Sequence, residues 1–336
     1  MSANLDKQRL SDFAVFSLAA LIPAMAWIYL PMISIIAVLI IPVPLALLVR
    51  RQDLRYGLVA LLLMLFILSA FTSKPLLALL LVLQSGPLGL LLGLIFKNHV
   101  PSAKALIATI LFSLIIAFEV ILAASFLTSA SPLVLSEKQL YEFEQKSQVM
   151  NQMINQGVAA GDLDPATRQE LEKVIDRLVE IWPVLSLSLA LIWFMISASI
   201  TYWFTRRIMV RFGYSIPAAI PFSRWRLPWH TIWGVIAGLI LLLGGDFVGS
   251  EGLSAAGKVV LWVISFILSV IGASVYLFFI KRWKVVWPFK VLAVIIMVVY
   301  LPVTLAMFVV SGIIDSIWNI RRLTPGGRIP EEEEKK

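Results

Sequence analysis

Glu119 stands between Phe118 and Val120 in an apolar stretch, Ala105 to Leu127, that holds no basic residue. A carboxylate at depth in a bilayer costs about 3 kcal/mol even on the mildest scale, so an intramembrane glutamate is a candidate protonation site or polar ligand contact. The plain alternative is a neutral, hydrogen-bonded structural glutamate. Gln84 and Ser85 precede Gly86 and Pro87 in a second apolar stretch. A polar, proline-kinked centre of this kind can open a helix and offer free backbone groups to a substrate. Glu119, Gln84 and Ser85 are therefore the candidate substrate contacts. Gly86, Gly89 and Gly93 also form a small-residue face suited to close helix approach, as do Gly234 with Gly238 and Ala20 with Ala24.

A third group is Arg224, Trp225, Arg226 and Trp229, set among Pro217, Pro221 and Pro228. Tryptophan beside arginine suits a lipid headgroup boundary, with the ring half buried and the cation on phosphate; it also suits a docking surface for a membrane or cytoplasmic protein partner. Asp246 and Asp315 lie nearer the ends of apolar stretches, where water is expected to reach them, and rank lower.

Much chemistry is excluded. Cysteine is absent, and the two histidines, His99 and His230, fall just outside apolar segments, so neither a thiolate nor a multi-histidine metal site can be assembled within one chain. Walker, HExxH, GxSxG and dinucleotide signatures do not occur. The sequence is not that of an enzyme, and it calls for no metal or cofactor.

The elements that must position these residues follow from composition. The chain has 336 residues, 60% hydrophobic and 14% charged, with mean hydropathy +0.92, whereas soluble domains are about a quarter charged. The fold class is all-α, a polytopic helical membrane protein. Phe13 to Val49 carries no charge over 37 residues, about 55 Å as one helix against a hydrocarbon core of about 30 Å. It must fold back, and Tyr29, Leu30 and Pro31 mark the turn, giving spans near 13–30 and 32–49. Ala24 and Ala26 mimic a signal-peptide cleavage site, but the weakly charged start favours an uncleaved helix. Further spans run from Leu54 to Thr72, Pro75 to Phe96, Ala105 to Leu127, Val184 to Phe204, Thr231 to Gly245 and Val259 to Ile280.

Val291 to Trp318 is interrupted by Pro302. Read as a tight pair turning at Leu301 and Pro302 it makes ten spans; read as one tilted helix it makes nine. The net charge of +8 and pI of about 9.7 record the cytoplasmic loops rather than nucleic-acid binding. Arg50, Arg51 and Arg55, then Lys97 and Lys104, then Arg206 to Arg226, then Lys281 to Lys290 alternate with connections nearly free of basic residues, which places the N-terminus in the cytoplasm.

Between Thr128 and Pro183 lie nine acidic and five basic residues. Ser136 with Gln139 forms a capping box, and Leu140, Phe143, Met150 and Ile154 recur at helical spacing up to Gly157. Asp164 and Pro165 start a second helix, with Leu171, Val174, Leu178 and Ile181 as its stripe, that can run directly into the sixth span. The expected organisation is five spans over 1–127, an extracytoplasmic helical hairpin over 128–183, four or five more spans over 184–320 with the basic Pro/Trp connection, and a disordered tail over 321–336.

Pro42-Val-Pro44 before Arg50, Ser85-Gly86-Pro87-Leu-Gly89 with Gly93, Pro221-Phe-Ser-Arg-Trp-Arg-Leu-Pro228 and Gly312-Ile-Ile-Asp315 before Arg321-Arg322 resemble the YybS-like family of bacterial membrane proteins. The resemblance implies the bacterial cytoplasmic membrane and carries over no binding or catalytic residues. Ala20-xxx-Ala24 and Gly86-Pro87-Leu-Gly89 are similar to the S components of energy-coupling-factor vitamin transporters. That similarity implies an alanine face toward an energising module and a pocket under outer loops, faced by Glu119 and Gln84. Two functions stay open: a transporter-like binder of a small solute or lipid without its own energy source, and a membrane scaffold that recruits protein partners.

Overall fold

The computed structural model describes residues 2–72, 75–128, 152, 165–283 and 286–323. Most of these are helical, with no strand among them. Helix α1 is Ser2–Tyr29; a 3-10 turn over Pro31–Ile33 leads to α2 (Ser34–Ile40) and α3 (Pro42–Arg51), followed by α4 (Leu54–Phe71), α5 (Pro75–Lys97) and α6 (Ser102–Thr128). Then come α7 (Pro165–Arg211), two 3-10 turns at Phe222–Arg224 and Trp229–Thr231, α8 (Ile232–Val248), α9 (Glu251–Arg282), α10 (Trp287–Val299) and α11 (Leu301–Trp318). Among the described residues, nine helical stretches are long and apolar enough to cross a membrane, α2 and α3 counting together as Ser34–Arg51. The polytopic all-α expectation holds.

The chain turns at Leu30 and Pro31, where proline removes a backbone donor, as the sequence indicates. The C-terminal stretch is two helices, as expected, one of them long enough to cross a membrane. The break falls at Tyr300, and α10 has 13 residues, about 20 Å, which is short of the hydrocarbon core. None of its residues is buried. Helix α7 is far longer than the span expected at 184–204: its 47 residues reach about 70 Å, so the amphipathic arm after Pro165 does run straight into the apolar span. The first arm of the expected hairpin, and the tail from residue 324, lie outside the described residues.

The chain forms two compact units, Met1–Ile121 with Leu191–Ile220, and Leu122–Ala190 with Pro221–Lys336. In the first, α3 is the central element, and every residue from Pro42 to Val49 is buried. It packs on α5 because that helix offers no side chain at the crossing. A Cβ on Gly89 would stand 2.7 Å from the Pro42 carbonyl oxygen, and one on Gly93 would stand 2.9 Å from that of Ala46. The glycine face of α5 is thus a packing face. Ala20 and Ala24 are buried in the same core. The outward alanine face that the S-component similarity implies is therefore covered by the unit itself.

In the second unit α9 is central. Gly245 and Gly257 bring its main chain against that of α8, and Gly238 accommodates Leu261. Gly272 of α9 faces the main chain of Phe308, and Gly312 of α11 faces that of Leu268, so these two helices also cross backbone to backbone.

Candidate functional site

In the first unit an open cavity of about 210 Å³ is lined by Trp27 of α1, Ser34, Ile35 and Val38 of α2, Gln84 of α5 and Trp193 of α7. Its position follows from the local sequence. Pro31 ends the first span and starts α2 beside Trp27. Pro42 has no N–H for the Val38 carbonyl, and Pro87 has none for that of Leu83, so both walls lose a rung of helical bonding at this level. Two indoles and two branched aliphatic side chains make the lining apolar. Among the described residues the Gln84 amide has no hydrogen-bond partner, and neither does the indole N–H of Trp27 or Trp193. The cavity is open and Gln84 is half-buried, so a ligand oxygen or hydroxyl would take the place of water on the amide, a gain of about 0.5–1.5 kcal/mol. Pockets that enclose drug-sized molecules run about 300–1,000 Å³, so this one holds only part of such a molecule.

The three candidate contacts from the sequence do not converge. Gln84 lines the cavity. Ser85 is buried and its hydroxyl donates to the Leu81 carbonyl at 2.7 Å, so it is spent within its own helix. The expectation of a discontinuous helix is corrected here, because α5 continues unbroken through Pro87. Glu119 is exposed on α6 and is not among the lining residues.

The basic Pro/Trp connection belongs to a second constellation, in the other unit, that sequence reasoning missed. Asp315, expected to be reached by water, has 0% exposure, and Arg321, expected to begin a free tail, has 2%. Arg321 donates from Nε to Asp315 Oδ1 (3.2 Å) and from Nη2 to Oδ2 (2.7 Å); Nη1 donates to the Ser223 carbonyl (2.9 Å) and to Ser274 Oγ (2.8 Å), and Nη2 also to the Trp225 carbonyl. The ring of Phe278 lies 6.0 Å from the guanidinium carbon. All five guanidinium donors are used, which makes burial of this charge tolerable. Ser274 in turn donates to the Phe222 carbonyl at 2.7 Å, and Arg226 Nη1 to the Leu323 carbonyl at 3.1 Å. Arg224, Trp225 and Arg226 are half-buried, whereas Trp229 is exposed. The Asp315–Arg321 pair, with its guanidinium donors used, joins the connection to α9 and α11, whereas Nε of the neighbouring Arg226 is buried without a hydrogen-bond partner among the described residues. Among the described residues no group of three or more His, Asp or Glu side chains could hold a metal ion.

A family model described as "Predicted membrane protein (DUF2232)" matches residues 18–316, a range that takes in every residue of the cavity and Asp315. No curated protein and no solved structure matches the chain.

Proposed function

The chain belongs to the DUF2232 family of predicted membrane proteins, and from that premise we propose that it binds the apolar part of a small amphipathic solute or lipid between Trp27 and Trp193, without an energy source of its own. The observation that carries this reading is the Gln84 amide in a cavity lined mainly by Trp27, Ile35, Val38 and Trp193. The two rings sandwich a chain or ring of the ligand, and the amide fixes its polar end. Native mass spectrometry of gently extracted protein tests it. The wild type should retain a small molecule, and Gln84→Leu, which keeps the volume and deletes the amide, should lower its occupancy about tenfold, the value of one hydrogen bond. A wild-type protein that carries nothing but a stable protein partner overturns the reading.

The rival scaffold function draws less support. The main chain of Ser223 and Trp225 and the side chain of Arg226 are engaged by Arg321 and Leu323, which leaves Trp229 as the exposed member of that group. The finer resemblance to YybS-like proteins of the bacterial cytoplasmic membrane stands on its short motifs and belongs to the same proposal.

The proposal includes a sidedness, with the ends of α3, α5 and α7 in the cytoplasm, drawn from their arginines and lysines. The absence of cysteine makes it directly measurable. Asn98→Cys should react with an impermeant maleimide only after cell lysis and Glu251→Cys already in intact cells; the opposite pattern inverts the topology.

A further inference from the structure

The first unit carries a basic rim where α3, α5 and α7 end, and the carboxylates of Asp12 and Asp53 there are already engaged. Arg51 Nη1 donates to Asp12 at 2.9 Å and its Nε to the Tyr214 hydroxyl at 3.0 Å, with the guanidinium over the rings of Phe16 and Phe212. Lys97 donates to Asp53 and to the Gln52 carbonyl, and that ammonium holds the Asp53 carboxyl below the ordinary carboxylate range.

Among the described residues Arg50 and Arg206 have no carboxylate partner. Arg50 lies 5.2 Å from the centre of the Tyr214 ring, and Arg206 Nη2 donates to the Pro217 carbonyl at 3.1 Å. The Nε of each is buried with no hydrogen-bond partner among the described residues, and the same holds for Oε1 of Gln52, two residues beyond Arg50. An arginine N–H aimed away from water, without an acceptor, is costly to maintain. The rim thus lacks anionic acceptors for two guanidinium groups and a donor for one amide oxygen. A phosphate diester supplies the first and an adjacent free hydroxyl the second. Because Arg50 closes a membrane-spanning segment (Ser34–Arg51), the phosphates present at its level are those of lipid headgroups.

We propose that this rim binds an anionic phospholipid with a hydroxylated headgroup, of the phosphatidylglycerol type, its phosphate on the Arg50 and Arg206 guanidinium groups and its hydroxyl on Gln52. This site is separate from the Trp27–Gln84–Trp193 cavity and stands whether or not that cavity binds anything.

The test is a native mass spectrometry titration of delipidated protein with phosphatidylglycerol, phosphatidylcholine and inorganic phosphate. Phosphatidylglycerol should bind well ahead of phosphatidylcholine, and millimolar phosphate should not displace it. Arg50→Gln and Arg50→Lys should each lower occupancy about tenfold, since lysine keeps the charge but lacks the fork that meets a phosphate. Arg206→Gln should do the same and serves as the independent probe if the Arg50 variants fail to fold. Arg55→Gln, an exposed cation at the same end, should stay within about twofold of wild type, as distant rim charges contribute weakly. Wild-type occupancy in Arg50→Lys, equal losses for Arg50→Gln and Arg55→Gln, or displacement by free phosphate would each overturn the proposal.

Discussion

Arg321→Met is expected to destabilise the detergent-solubilised protein by about 3–5 kcal/mol, the usual effect of breaking a buried ion pair from one side. The substitution strands the Asp315 carboxylate at 0% exposure and takes the donor from the Ser223 carbonyl. Asp315→Asn should cost a similar amount for the opposite reason, since the guanidinium cannot shed its proton to escape. Pairing Arg321→Met with Asp315→Leu removes both charges but should recover only part of the loss. The Ser223 carbonyl still lacks a donor, at about 1–3 kcal/mol, whereas the Phe222 and Trp225 carbonyls keep Ser274. Arg322→Met is the control: Arg322 is exposed, and its loss should stay within about 0.5 kcal/mol. Denaturant unfolding of the four variants in one detergent gives the order. If Arg321→Met and Arg322→Met unfold alike, the network does not hold the connection to the bundle.

The bundle was legible because hydrocarbon is an unforgiving solvent. A run without charge, broken at Tyr29, Leu30 and Pro31, leaves the chain one place to turn, and the turn falls there. The long α7 could be anticipated for a related reason: Pro165 suits a first helical turn, and nothing between it and the apolar span stops a helix, Pro183 being accommodated within it. The C-terminal stretch was harder. Hydropathy counts apolar residues but cannot tell a helix that spans from one that stops short, which is why the sequence left nine and ten spans both open.

Site residues separate along the same line. Gln84 was visible as a polar residue at the centre of a span. Its partners in the cavity were not, because Trp27, Ser34 and Trp193 come from distant parts of the chain and look like ordinary interfacial or apolar residues. Ser85 was overvalued because a hydroxyl in a helix bonds back to the carbonyl four residues earlier. Asp315 was undervalued because nearness to a span end stood in for access to water. The available signal was that Pro221 to Pro228 and Gly312 to Arg321 both stood out as motifs; their meeting, through Ser223, Trp225 and Ser274, needed the fold.

The crossing that brings those motifs together yields the second large effect. Gly272→Ala is expected to cost about 3 kcal/mol, the upper part of the range for overpacking, because the added methyl would overlap the Phe308 carbonyl oxygen. A side chain could rotate away; a helical carbonyl cannot, so α9 and α11 would have to separate. Separation loosens the Tyr276–Phe308 ring pair, whose centroids lie 5.1 Å apart, and moves Ser274, which accepts from Arg321. Gly312→Ala, facing the Leu268 carbonyl, should behave the same way. Gly244→Ala is the informative contrast. Nothing lies within 4 Å of a methyl there, and relief of glycine's backbone entropy should stabilise the helix by about 0.5–1 kcal/mol. Because Gly272 and Arg321 act through one crossing, their combined loss should fall short of the sum of the single losses. Strict additivity in denaturant unfolding would mean that the backbone contact and the ion pair secure α11 independently.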